Sequence, residues 1–213
     1  MTPEPDLVGD ALACRRGERL VFEGLSFRLP AGGALVVAGA NGSGKSSLLR
    51  IVASFLAPAG GRLLWGSNPV ADDLALYRAR LDYVGHLDAV KPALSAREML
   101  RFWAALRGAG RAAPVDKALA AFALDGLADW PCRWLSAGQR RRLALARLCL
   151  ARLPVWLLDE PFAALDGDNQ RRLESAIETH RAAGGRVMLA THQPVALAGA
   201  DSLSLGDFAP RPR

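Results

Sequence analysis

Apolar positions along this chain follow two rhythms. Up to about residue 86, and again from about residue 151, they come in short runs closed by glycine, proline or charge. Such runs read as strands. Val8 to Cys14 and Leu20 to Leu29 flank a polar turn, Arg15-Arg16-Gly17-Glu18, and predict a hairpin. Pro30-Ala31-Gly32-Gly33 reads as a turn. The unbroken apolar run from Ala34 to Ala38 predicts a buried strand. A glycine-rich loop follows it, then a helix from Lys45 to about Phe55. Pro58-Ala59-Gly60-Gly61 interrupts the chain before a strand at Arg62 to Trp65, and Leu81 to Val84 predicts another.

Between Ser95 and Leu150 the rhythm changes. Ala, Leu and Arg dominate, and Met99, Leu100, Trp103 and Leu106 recur at helical spacing, which predicts a helical insert. Beyond it the spacing predicts a strand at Val155 to Leu158, a helix at Asp168 to Ala183 and a strand at Val187 to Ala190. Strands alternating with helices predict an α/β fold with a largely parallel sheet covered on both faces. No internal repeat is present, and the tail from Phe208 to Arg213 is expected to fray.

Composition narrows the class. The chain has 213 residues, 51% hydrophobic and 23% charged, ordinary for a globular protein of one large domain or one core with an insert. Its net charge is +6, with Lys45, Lys91 and Lys117 as the only lysines. A basic balance admits nucleic acid or an anionic membrane face as partner. No apolar run approaches the length of a membrane span. Met1 to Asp10 lacks the apolar stretch of a signal peptide. The expectation is a cytosolic chain that reaches a membrane only through a partner. Cys14, Cys132 and Cys149 lack metal-ligand spacing and read as reduced, mostly buried thiols.

Two strings carry candidate chemistry. Gly39-Ala40-Asn41-Gly42-Ser43-Gly44-Lys45-Ser46 fits the pattern G-x-x-x-x-G-K-[ST], with Ser47 next in the helix. Glycines let the backbone bend tightly enough for its N–H groups to converge on phosphate oxygens. The helix N-terminus adds partial positive charge. Lys45 is placed to reach the β- and γ-phosphates, and Ser46 to ligate Mg²⁺. The second string, Val155-Trp156-Leu157-Leu158-Asp159-Glu160, is an apolar strand ending in two carboxylates. Asp159 is placed to hold Mg²⁺ through its water shell, and Glu160 to polarise an attacking water. Mg-ATP or Mg-GTP is the ligand these strings predict.

Leu135-Ser136-Ala137-Gly138-Gln139 opens a helix shortly before the acidic strand, with Ser136 a good N-cap. The pentapeptide resembles the LSGGQ signature of ABC ATPases, with Ala in place of the first Gly. Ala164-Leu165-Asp166 resembles the family's D-loop, and Thr191-His192 its switch-histidine loop. The resemblance covers essentially the whole chain, with every motif in the family's order. It implies a RecA-like core with an antiparallel β subdomain, about 1–86 and 151–213, and a helical subdomain, about 87–150. It also implies a head-to-tail homodimer in which Ser136, Gly138 and Gln139 of one copy close over the ATP of the other. Asp166 then crosses the interface, and His192 contacts the γ-phosphate and the attacking water.

Two positions depart from the family pattern. The lid-loop Gln, a metal and coupling contact, is replaced by His86 within Val84-Gly85-His86-Leu87. A His there can still contact a metal-bound water, but its charge depends on pH. The adenine-stacking aromatic is missing; the position falls at Arg16, and either Arg15 or Arg16 can stack a guanidinium on the base instead. With Asp159-Glu160-Pro161-Phe162 and Thr191-His192-Gln193-Pro194, these features resemble one branch of the family. That branch is the ATP-binding subunits of the bacterial haem exporter for cytochrome c maturation. It implies an integral membrane permease as partner, a periplasmic haem chaperone served indirectly, and a place on the cytoplasmic face of the inner membrane. Two other readings stay open: an ABC ATPase for another cargo, such as a lipid, drug or lipoprotein, and a soluble ABC machine acting on nucleic acid. The latter usually carries tandem ATPase domains or long coiled coils, so no nucleic-acid partner is expected.

Overall fold

A computed structural model describes residues 4–109, 113–193, 195 and 197–210. Pro194 of the switch-histidine string and Arg211 to Arg213 of the tail lie outside the described residues. The chain divides into two compact units. One comprises Met1–Tyr83, Pro154–Glu160 and His180–Arg213, the other Val84–Leu153 and Pro161–Thr179. His86 and the segment Pro161–Thr179 thus fall in the second unit.

The first unit contains both sheets. Strands β1 (Leu7–Arg16) and β2 (Arg19–Leu29) form the hairpin, with Arg16 opposite Arg19. Gly17, at φ 57°, takes the left-handed turn position that a two-residue hairpin loop needs. β4 (Gly60–Trp65) and β5 (Asn68–Pro69) complete an antiparallel sheet in the order β2-β1-β4-β5. The second sheet runs β6-β7-β8-β3-β9, from β6 (Leu81–Val84), β7 (Val155–Asp159), β8 (Arg186–Ala190), β3 (Ala34–Ala38) and β9 (Asp201–Ser204). The pairs β7–β8, β8–β3 and β3–β9 are parallel.

Every residue of β7 and β8 is buried, which is why residues 155–158 and 187–190 read as unbroken apolar runs. Helix α1 (Lys45–Val52) contributes Leu48, Leu49, Ile51 and Val52 to one core. Leu7, Leu12, Phe22 and Leu25 enter it from the antiparallel sheet, and Leu35, Val37, Leu157 and Met188 from the parallel one. A short helix, α2 (Leu74–Arg78), precedes β6, and its Tyr77 hydroxyl donates to the Val52 carbonyl at 2.7 Å.

Arg186 begins β8 and is fully buried. Its guanidinium lies 4.7 Å from the Trp65 ring centroid and donates to the carbonyls of Glu4 and Pro5 at 3.2 and 2.7 Å. Burial lowers its affinity for the proton, and Glu4 opposes that shift.

In the second unit, helices α3 (Ala96–Leu106), α4 (Val115–Ala121) and α5 (Ala137–Ala146) pack on one another. α3 and α5 each start with a capping box, Ser95 with Glu98 and Ser136 with Gln139. Arg142 of α5 donates to the carbonyls of Phe122 and Ala123 at 2.9 and 2.8 Å, satisfying the chain just past the end of α4. α6 (Gly167–Ala182) starts in this unit.

Two sequence expectations need correction, and one strand lies outside what the sequence predicts. The α1 helix stops at Val52 rather than near Phe55, because Ser54 turns left-handed at φ 57° and the N–H groups of Phe55 and Leu56 fold back onto the Arg50 carbonyl. Phe208, the first residue of the stretch expected to fray, instead closes a 3₁₀ turn at Leu205–Phe208 and packs on the core. Strand β9 escapes notice because only Leu203 of its four residues is buried. The cysteines are free, Cys14 and Cys132 buried and Cys149 partly so.

Candidate nucleotide site

The site sits at the carboxyl ends of β3, β8 and β7, adjacent parallel strands of the first unit, where α/β sheets place ligands. The Gly39–Gly44 loop follows β3. Gly39, Gly42 and Gly44 stand at φ 154°, 80° and 107°, which side-chain-bearing residues rarely adopt. A Cβ on Gly44 would also approach Val21 Cγ1 to 2.6 Å, so the hairpin strand β2 lies directly against the loop. No side chain caps the first turn of α1 and no acidic residue occupies it. Its positive end is therefore left to an external anion.

Lys45 is buried, and its ammonium donates to the carbonyls of Gly39 and Ala40 at 2.7 and 3.2 Å. The Ser43 hydroxyl is buried with no hydrogen-bond partner among the described residues. A phosphate oxygen in the loop would supply the acceptor that this buried donor lacks.

The Ser46 hydroxyl donates to Asp159 Oδ1 at 3.0 Å, joining the loop to the end of β7 across 113 positions of sequence. Glu160 leaves the strand at φ 48°, in the left-handed region, and its N–H donates to the Ala190 carbonyl at 2.9 Å. Such backbone conformations cost about 1–3 kcal/mol and gather at functional sites. The turn sets Glu160 Oε1 3.8 Å from the Lys45 ammonium and Oε2 3.0 Å from His192 Nδ1. The structure thus brings Lys45, Ser46, Asp159, Glu160 and His192 to one place. Among the described residues no group of three or more His, Cys, Asp or Glu could hold a metal by itself.

Ser47 is placed differently. It is buried, and its side chain hydrogen-bonds with the Cys14 thiol on β1 rather than facing the loop. Burial raises the pKa of Cys14, while Ser47 and the charge of Arg16 oppose the shift. Arg15 and Arg16 are exposed at the hairpin end, near this thiol.

Tyr83, one residue before the end of β6, carries no motif. It hydrogen-bonds with Asp159 and Arg50, and its pKa is raised by burial and by the Asp159 charge. Only the strand order, with β6 beside β7, reveals that proximity.

The other family-like residues lie in the second unit. Ser136 Oγ accepts from the Gln139 N–H at 3.2 Å, and Gln139 Oε1 accepts from the Ser136 N–H at 2.7 Å. A Cβ on Gly138 would stand 2.9 Å from the Ala164 carbonyl oxygen, so the signature helix meets the D-loop backbone closely. Asp166 caps α6 by accepting from the Asn169 N–H at 2.9 Å, and that bond holds its carboxyl below the usual range. His86 is exposed, between Gly85 and Leu87.

With this geometry in view, residues 22–163 match the family model described as ABC transporter. The chain belongs to the ABC transporter family. Curated relatives named cytochrome c biogenesis ATP-binding export protein CcmA resemble this ABC protein over nearly its whole length. The one from Rhodospirillum rubrum is 57% identical, covering 96% of this chain and 87% of the relative. That from Paramagnetospirillum magneticum is 54% identical over 93% of each. An ABC transporter ATP-binding protein from Pyrococcus furiosus has the same fold, with a TM-score of 0.83 at 20% identity, covering 96% of this chain and all of that one. A bacterial Atm1-family ABC exporter with ATP bound gives a TM-score of 0.82 at 26% identity, over 94% of this chain and 37% of that one. Both comparisons agree with the ABC-type α/β fold.

Proposed function

We propose that this chain is the ATP-hydrolysing subunit of an ABC transporter that delivers haem for cytochrome c maturation. The convergence of Lys45, Ser46, Asp159 and Glu160 on the ends of neighbouring strands supports the ATPase reading. The cytochrome c biogenesis names of relatives above 50% identity support the cargo.

The chemistry follows from the side chains. Lys45 exchanges its loop carbonyls for the β- and γ-phosphate oxygens, and the α1 terminus and loop N–H groups take the rest of the triphosphate. Ser46 and Asp159 are the residues that would hold Mg²⁺, which commonly takes one or two protein oxygens and fills its shell with phosphate and water. When bound, the ion offsets charge developing on the γ-phosphoryl group. Glu160 accepts the proton of the attacking water, and His192, already against Glu160 Oε2, orients it. Ser136 and Gly138 of a second copy complete the phosphate shell in a homodimer. Hydrolysis lets the two copies separate, and that motion passes through the region of His86 to an integral membrane permease, with the chain at the cytoplasmic face of the inner membrane.

The test is Glu160→Gln, which keeps the side chain's size and removes the base. ATP binding should persist while turnover falls about 10²–10⁴-fold, the usual contribution of a general base, and a dimer should accumulate with ATP. Turnover at the normal rate would overturn the mechanism. In the host cell the same variant should abolish mature c-type cytochromes; normal levels would overturn the cargo and leave the ATPase standing.

A further inference from the structure

The hydrogen bonds of Arg141 point to a device the motifs do not name. Arg141 stands in the second turn of α5, six residues or fewer from Ser136, Gly138 and Gln139, and only 4% of its surface is exposed. Its Nη1 donates to the Gly85 carbonyl at 2.9 Å and to Asp88 Oδ1 at 3.3 Å. One nitrogen therefore grips both feet of a short loop. The tip between those feet, His86 and Leu87, is exposed, with Leu87 at 82%. Ala89, which follows the second foot, has φ 55°, a conformation that survives in a non-glycine residue only where its surroundings impose it. Every group named here belongs to the second unit.

We propose that Arg141 is a positioning residue: it clasps the Gly85–Asp88 loop to the signature helix, so that His86 and the Ser136–Gln139 helix start move as one piece. The inference deepens the proposed function and rests on it for its catalytic consequence. A guanidinium suits the task. It stays charged, it is planar, and it can serve a carbonyl and a carboxylate together. Arg140 and Arg142, its neighbours, are engaged elsewhere, Arg140 with the Leu135 carbonyl and Arg142 with those of Phe122 and Ala123. Arg141 is thus the member of the triplet that reaches the loop.

The experiment compares wild-type full-length protein with Arg141→Gln, Arg141→Lys and Asp88→Asn, using hydrogen exchange and ATPase kinetics. Losing a charged hydrogen bond should speed amide exchange in residues 85–89 about tenfold in Arg141→Gln while α1 and β7 stay as protected as before. Its kcat should fall, while the affinity of dilute subunits for a fluorescent ATP analogue stays within about twofold, since no residue of the phosphate loop has changed. Arg141→Lys should recover part of both effects. Asp88→Asn, which removes only the carboxylate end of the clasp, should show a smaller version of both and serves if Arg141→Gln does not fold. Unchanged exchange at 85–89, or faster exchange with unchanged kcat, would overturn the clasp. A wild-type protein that neither binds nor hydrolyses ATP would instead overturn the proposed function, and the exchange data would still test the clasp.

Discussion

Glu160 shows how a single residue is prepared for work. It follows a strand buried on both faces, so its carboxylate would be costly anywhere but at the strand end. The left-handed turn at φ 48° carries it away from Asp159 and against His192 and Lys45. Two adjacent carboxylates thereby acquire different neighbours, as the different tasks proposed for them require. His180 illustrates the structural opposite. Its ring stacks on Trp156 at 3.9 Å with planes 3° apart, and burial pushes its pKa down from 6.5 to about 4. The unfolded chain takes up that proton near pH 6.5, the folded one only near pH 4. Stability is therefore full above pH 6.5 and falls as the pH drops from 6.5 towards 4. Thermal melting across that range should show the decline in the wild type and a shallower one in His180→Phe, which keeps the stack and removes the titration. Equal slopes would refute the assignment.

Among the elements, the start of α5 fits closely against the D-loop backbone. The capping box of Ser136 and Gln139 fixes the first turn, and Gly138 leaves space for the Ala164 carbonyl, itself carried by a residue at φ 61°. Gly138→Val forces a Cβ to within 2.9 Å of that oxygen and adds two methyl groups beyond it. The helix start and the D-loop must separate by some tenths of an ångström. The expected result is lost turnover with nucleotide binding retained, because the phosphate loop is on other elements; turnover within about twofold of wild type would show that the contact relaxes harmlessly. Legibility differs among elements for a physical reason. The hairpin, β3, β6 and β7 are readable because burial on one or both faces imposes local apolar patterns. Strand β9 is not, since only Leu203 of its four residues is buried, and neither is the start of β8, where Arg186 is held by Trp65 and the Glu4 and Pro5 carbonyls. Ser47 is the same case within the site: the string G-x-x-x-x-G-K-S-S does not say that its last hydroxyl faces Cys14.

At the scale of the molecule, no helix among the described residues is long and apolar enough to cross a membrane, while the family the chain belongs to is that of ABC transporters. Attachment through a partner follows as the proposal. The chain should sediment with membranes of cells that make the permease and stay in the supernatant when that subunit is deleted; sedimentation with bare anionic vesicles would refute attachment by protein contact alone. The sequence by itself determined the phosphate loop, the acidic strand end, the signature and the family, since each is a contiguous string whose chemistry depends on local backbone. Only the tertiary structure decided the partners of those strings: Ser46 with Asp159, Tyr83 with Asp159, Glu160 with His192, and Arg141 with the Gly85–Asp88 loop. Those pairs join residues from 32 to 113 positions apart. Strand order and helix packing set such distances, and neither is written in any one stretch of chain.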